Sequence, residues 1–234
     1  MTLMLLHKAW LESRARFAVS AMALGWLCLV YVIWQPTRGE AQPPVPYQTY
    51  ISHAVYDSVL LHLFVGCAIV LGLGGLRQEK ARGTAGFTLA LPISRMRLVA
   101  ARASAGLIEV GTLALLPASI VCVGAPLVGQ SYPMLRAIRF AIQWAGAGTV
   151  VFAAALLASI LVAGEYSAPV VCFVTLFAYL VTVNVPPLDR FPSLNVFTLM
   201  SAGGPLPWFT FIGVTAAALG LVAIGQVITE QQDF

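Results

Sequence analysis

Charge is what this chain has least of. Only 9% of its 234 residues are Asp, Glu, Lys or Arg, against 59% hydrophobic types, and the mean hydropathy is +0.88. A soluble domain carries roughly 25% charged residues. Too few are present here to cover a globule of this size with solvated surface, which excludes a soluble enzyme. A disordered chain is excluded too, because it needs low hydrophobicity. Lipid is the natural solvent for most of these residues. The formal net charge of +4 and the pI near 9.0 rest on few basic residues. They do not make a nucleic-acid surface, but they fit cationic loops facing an anionic membrane leaflet.

Motifs for chemistry are missing as well. Cys28, Cys67, Cys122 and Cys172 each sit in an apolar stretch, with no C-x-x-C pair or Cys/His cluster. Neither a metal site nor a disulfide framework is expected, and small packing residues are the preferred reading. There is no H-E-x-x-H, no G-x-S-x-G and no close set of acids on one helix side, so no catalytic residue is assigned. There is also no G-x-x-x-x-G-K-[ST] loop, so the chain does not itself bind ATP in the usual way.

What is present is a series of long charge-free runs. A span needs about 20 mostly apolar residues, and the charges cut the chain into pieces of that size. They predict six transmembrane helices: 17–35, 54–76, 103–128, 138–163, 167–186 and 207–228. The first run is longer than a signal-peptide core and lacks a small-x-small cleavage site, so it reads as an uncleaved anchor. Orientation follows from Lys and Arg. With the N-terminus in the cytoplasm, Lys8, Arg14, Arg16, Arg77, Lys80, Arg82, Arg95, Arg97 and Arg102 are inside, and Arg38, Arg136, Arg139 and Arg190 are outside. Nine against four is the sense of the positive-inside rule, and six spans return the C-terminus to the cytoplasm. The fold class is therefore all-α integral membrane, one domain over 1–234.

Four pieces lie outside the spans. Residues 1–16 predict an amphipathic entry helix in the interface plane, with Lys8, Glu12 and Arg16 on a polar stripe. Residues 36–50, rich in Pro and Gln, form an outer loop. Residues 77–97 belong to a basic cytoplasmic stretch that runs on to Arg102. Residues 187–206 lie outside; the apolar run Leu194–Met200, between prolines, is either a short helix re-entering the interface or a plain loop. In the fourth span Ala155, Ser159 and Ala163 repeat every four residues. Small side chains on one face let backbones approach closely, and an intramolecular contact is preferred to a dimer contact.

The stretch with most information runs from Arg77 to Arg95. Glu79 to Leu91 can form a helix that Pro92 stops, and Ser94 can cap the next. Gly83 and Gly86 each cost a helix about 1 kcal/mol relative to Ala, a cost that close approach to another surface would offset. From these residues alone, a solvated basic loop stands as the alternative. The order Glu79, Arg82, Gly83, Thr84, Leu89, Leu91, Pro92, Ser94, Arg95 resembles the cytoplasmic coupling segment of type-2 ABC exporter permeases. Ala85-Gly86-Phe87 departs from that pattern. The entry helix, six spans and Pro-rich return after the fifth resemble the same family.

The resemblance implies an all-helical half-transporter used in pairs, in the cytoplasmic membrane, moving an unnamed substrate outward. It implies a second permease subunit, identical or similar, and two copies of an ABC ATPase subunit that holds the ATP and Mg; no cofactor is bound by this chain. Coupling to the ATPase then falls to Glu79, Arg82, Gly83, Thr84, Leu91, Pro92, Ser94 and Arg95. The pathway is expected between the two copies, lined by the fifth span together with the first two, through Thr175, Thr182 and Asn184; bonds from these groups to neighbouring carbonyls within the bundle are the alternative. The alternative is a multispan membrane scaffold, or a membrane enzyme, with no ATPase partner.

Two further groups carry charge into the spans. Glu109 lies seven residues past Arg102, roughly 10 Å deeper. A membrane carboxylate is a functional candidate by default. The preferred reading is a buried partner for Arg102 or for the entry helix. His53, Asp57 and His62 gather near the outer end of the second span. They offer an exit-path lining or a cation site, with ordinary interfacial contacts preferred.

Overall fold

A computed structural model of the chain describes residues 2–34, 45–74, 94–162, 167–183, 195–201 and 208–231. Among these every regular element is an α-helix. They are α1 (Thr2–Ile33), α2 (Tyr47–Tyr56), α3 (Val59–Gly72), α4 (Arg95–Leu127), α5 (Met134–Leu161), α6 (Ser167–Val183), α7 (Val196–Ser201) and α8 (Trp208–Gln231). Among the described residues five units are long and apolar enough to cross a membrane: Leu3–Ile33, Tyr47–Gly72, Arg95–Leu127, Met134–Leu161 and Trp208–Gln231. This is the architecture of a helical, multi-pass membrane protein. The expected fifth span corresponds to α6, whose 17 residues sit at the lower edge of spanning length.

The structure corrects several expected boundaries. Residues 1–16 are not a separate entry helix. Thr2 to Arg16 run unbroken into the first span as α1, because no Gly or Pro precedes Gly25 in the chain and Ala, Leu, Lys, Arg and Glu favour continuation. The third span starts at Arg95, eight residues before 103, so Arg95, Arg97 and Arg102 are helical. Both α1 and α4 are about 50 Å long at 1.5 Å per residue, well beyond the hydrocarbon thickness of about 30 Å. Their charged N-terminal turns lie at the same end of the bundle, joined through Arg102 and Glu12.

The second span begins at Tyr47 rather than 54 and is broken at Asp57-Ser58. Backbone freed inside a bilayer must find other partners, and here it does. The Ser58 hydroxyl donates to the Ala54 carbonyl. The Ser58 carbonyl faces His62 Nδ1 at 3.0 Å and accepts the Leu61 amide at 3.1 Å.

The core lies among α1, α2, α3, α4 and α5. Tyr56 stacks on Phe140 with centroids 4.1 Å apart and meets Trp144 edge-on at 5.7 Å; Trp144 touches Phe64 at 4.9 Å. Small residues set the closest approaches. A Cβ on Gly72 would stand 2.6 Å from the Phe152 carbonyl oxygen and 2.7 Å from the Ala155 methyl. Glycine at 72 thus lets α3 and α5 touch backbone to backbone. Ala155 and Ser159 of the small-residue stripe face this crossing, an intramolecular contact as preferred; Ala163 lies outside the described residues. By contrast α6 and α8 are peripheral. Phe177 is 69% exposed and Phe209 94%, apolar surface suited to lipid.

Candidate functional site

The segment 75–93 lies outside the described residues, and with it Glu79, Arg82, Gly83, Thr84, Leu91 and Pro92. What the structure gives is the two places where the chain enters and leaves it. The entry is a polar hub. The Leu73 carbonyl, at the C-terminal end of α3, accepts from Arg16 of α1 and, at 2.9 Å, from Arg102 of α4. Arg16 also reaches the Val70 carbonyl at 3.3 Å. The Gly74 carbonyl accepts the Ser159 hydroxyl of α5 at 2.8 Å. The last carbonyls of a helix have no partner within it and carry partial negative charge. Two guanidinium groups and a hydroxyl satisfy that need. Gly74 itself has φ 111°, a left-handed value that suits glycine and turns the chain away from α3.

Around the hub the polar set extends along α1 and α4. Glu12 lies 3.8 Å from Arg102 and 3.5 Å from Lys8. Glu109 is buried, 1% exposed, and its Oε1 accepts the Ser13 hydroxyl. Its partner is thus the α1 helix, one of the two preferred partners; Arg16 and Arg102 add positive charge to its surroundings. Its Oε2 has no hydrogen-bond partner among the described residues. Ser13 was not singled out in the sequence, and Ser159 was singled out there only as a small residue of the packing stripe. Each is a buried serine within an otherwise helical run, and nothing in their spacing points to a glutamate 96 residues away or to Gly74.

The exit is the start of α4. Ser94 stands at the N-cap, but its side chain makes no capping bond. Its carbonyl instead accepts Arg97 N at 3.0 Å, which corrects the expected side-chain cap. Ser94 is exposed and Arg95 half-buried.

Of the expected pathway residues, Thr175 and Thr182 have different surroundings. Thr182 is exposed and donates to the Tyr179 carbonyl of its own helix at 3.0 Å. Asn184 lies outside the described residues. Thr175 lines a cavity of about 230 Å³ between α3, α5, α6 and α7. His53 and Asp57 pair at 3.6 Å on the surface, while His62 stacks on Phe197 of α7 at 5.1 Å. No group of three metal-ligating side chains occurs among the described residues, so these three do not converge on a cation.

One titrating group at the opposite end from the hub shows how polar contacts persist there. Burial pushes the Tyr132 phenol up, against the opposing pull of the Ser52 hydroxyl and Arg136. The neutral phenol meets Ser52 at 3.3 Å and ties α2 to the α4–α5 connection.

No family model matches the chain, and no curated protein matches it.

Proposed function

We propose that this chain is the membrane-spanning permease subunit of an ATP-driven ABC exporter. In this reading α6 is the fifth of six spans, both termini and residues 77–97 are cytoplasmic, and 36–50 and 187–206 are outside. Two such subunits, identical or similar, face each other in the cytoplasmic membrane above two ATPase subunits, which hold the ATP and Mg. The chain performs no covalent chemistry.

The observation that carries the reading joins sequence to structure. In sequence, the motif from Glu79 to Arg95 follows a hub where α1, α3, α4 and α5 meet at Leu73 and Gly74. A displacement of the segment by a closing ATPase would pull on the Leu73 carbonyl. Arg16, Arg102 and Ser159 would pass that pull to three other helices. Packed helices switch between discrete arrangements rather than deforming smoothly, so nucleotide binding would bias a two-state bundle between inward-open and outward-open.

Purification in mild detergent tests this directly. An ATPase subunit should leave the membrane with the protein, and Gly83→Leu should uncouple transport from ATP hydrolysis while the protein still folds. A chain that purifies with no ATPase, under conditions that keep it folded, would instead support a scaffold or a membrane enzyme.

A further inference from the structure

We propose that the cavity between α3, α5, α6 and α7 is a binding site for a single hydrocarbon chain, the apolar part of an amphiphile. Such a chain would bind there whether or not an ATPase joins the protein.

The walls define the chemistry. Ile69, Ala158, Val171 and Leu176 are typical of the lining, and among the described residues hydroxyls enter it only at Thr175 and Tyr179. Tyr179 Oη accepts the Val196 amide at 2.8 Å, fixing α7 across one end. A buried water needs two to four polar partners, and these walls do not supply them along their length. Hydrocarbon is the occupant that such walls favour.

The dimensions narrow the class further. On α6 the lining runs from Val171 to Tyr179, about 12 Å at 1.5 Å per residue. A run of that length walled by four helices suits an extended hydrocarbon chain, and the volume is about 230 Å³. That is smaller than the roughly 300–1,000 Å³ that encloses a whole drug-sized ligand. The occupant therefore leaves its polar end outside. One end of the cavity offers a place for it: the lining residue Phe197 stacks on His62, which is exposed, and His53 and Asp57 lie on the same span.

Photolabelling of the purified protein in nanodiscs decides the matter. The probes are a fatty acid carrying a diazirine on its chain and a phosphatidylcholine with the same acyl group. Adducts should concentrate on the α5 and α6 peptides that wall the cavity, well above those on the lipid-exposed α8 surface around Phe209. Ala158→Phe and, separately, Val171→Phe place a ring in the cavity. Each buried methylene contributes a factor of roughly four, so displacing two should cut cavity adducts about fifteenfold and leave α8 adducts unchanged. Labelling by the phospholipid probe would identify the chain as a bilayer lipid's; labelling by the fatty acid alone would identify a free single-chain amphiphile. Adducts no denser on the cavity wall than on α8 in the wild type would overturn the proposal. So would cavity adducts that survive in either folded variant. Because no ATPase is present, this result stands apart from the co-purification test.

Discussion

Glu109 illustrates how a membrane-embedded charge is held. Its carboxyl is buried, bonded by Ser13 and flanked by the positive charge of Arg16 and Arg102. Removing it leaves buried polar groups without their acceptor, which costs about 1–3 kcal/mol. Glu109→Ala should therefore lower stability by that amount in detergent unfolding, whereas Glu109→Gln, which keeps an oxygen for Ser13, should cost less. Equal losses would show that the hydrogen bond is not what matters. Gly72 gives a second residue-scale test. A side chain there meets the Phe152 carbonyl, backbone that cannot rotate away. Gly72→Leu should cost about 1–3 kcal/mol or more. Gly213→Leu, where nothing lies within 4 Å, should not destabilise and should gain up to about 1 kcal/mol, since glycine inside a helix costs about that much. Thermal or denaturant unfolding of the pair checks the contrast.

Among the elements, the end of α3 is the informative one. Its final carbonyls are tied to α1, α4 and α5 by side chains rather than by direct backbone packing alone. A hydrogen bond to a charged group contributes roughly 1.5–3 kcal/mol, so loss of the Arg102 contact should raise local opening about tenfold or more. In Arg102→Ala, the Leu73 amide, which donates to Ile69 at 3.1 Å, should exchange hydrogen correspondingly faster, with the α5 core amides unchanged. Uniform acceleration across the bundle would mean that Arg102 supports global folding instead. The break at Asp57-Ser58 belongs to this scale too. It redirects the span so that Tyr56 is buried against Phe140 and Trp144 while Asp57 stays exposed.

For the molecule as a whole, orientation and assembly are the open quantities, and both yield to cysteine chemistry. The nine-to-four division of Lys and Arg predicts that, on intact cells, an impermeant thiol reagent labels Gln42→Cys but not Thr84→Cys. The reverse pattern would invert the topology and remove the coupling role from 77–97. Assembly is probed on α6, whose Phe173, Val174 and Phe177 are exposed and whose contacts with the rest of the bundle are few. Single cysteines at Thr175 and Thr182 should crosslink between two copies in membranes. If neither does in any nucleotide state, while lipid-facing controls do, α6 is not at a subunit interface.

The sequence by itself determined that this is a helical membrane protein, because 9% charge and 59% hydrophobic residues leave no other solvent for the chain. Charge spacing also gave runs that each overlap one of the apolar helices. It did not set their ends, since helical hydrogen bonding continues past the lipid boundary wherever Gly and Pro are absent. For that reason α1 absorbs the expected entry helix and α4 begins at Arg95. The Asp57-Ser58 break was not legible either, because Asp and Ser are tolerated within helices when their side chains find local acceptors. Glu109 was visible as a buried charge, yet its pairing with Ser13 required the register of α1 against α4. The hub at Leu73 was hidden for the same reason. It joins backbone carbonyls to Arg16, Arg102 and Ser159, three residues far apart in the chain. Backbone acceptors carry no sequence signature, and only the packing of four helices brings those donors within reach.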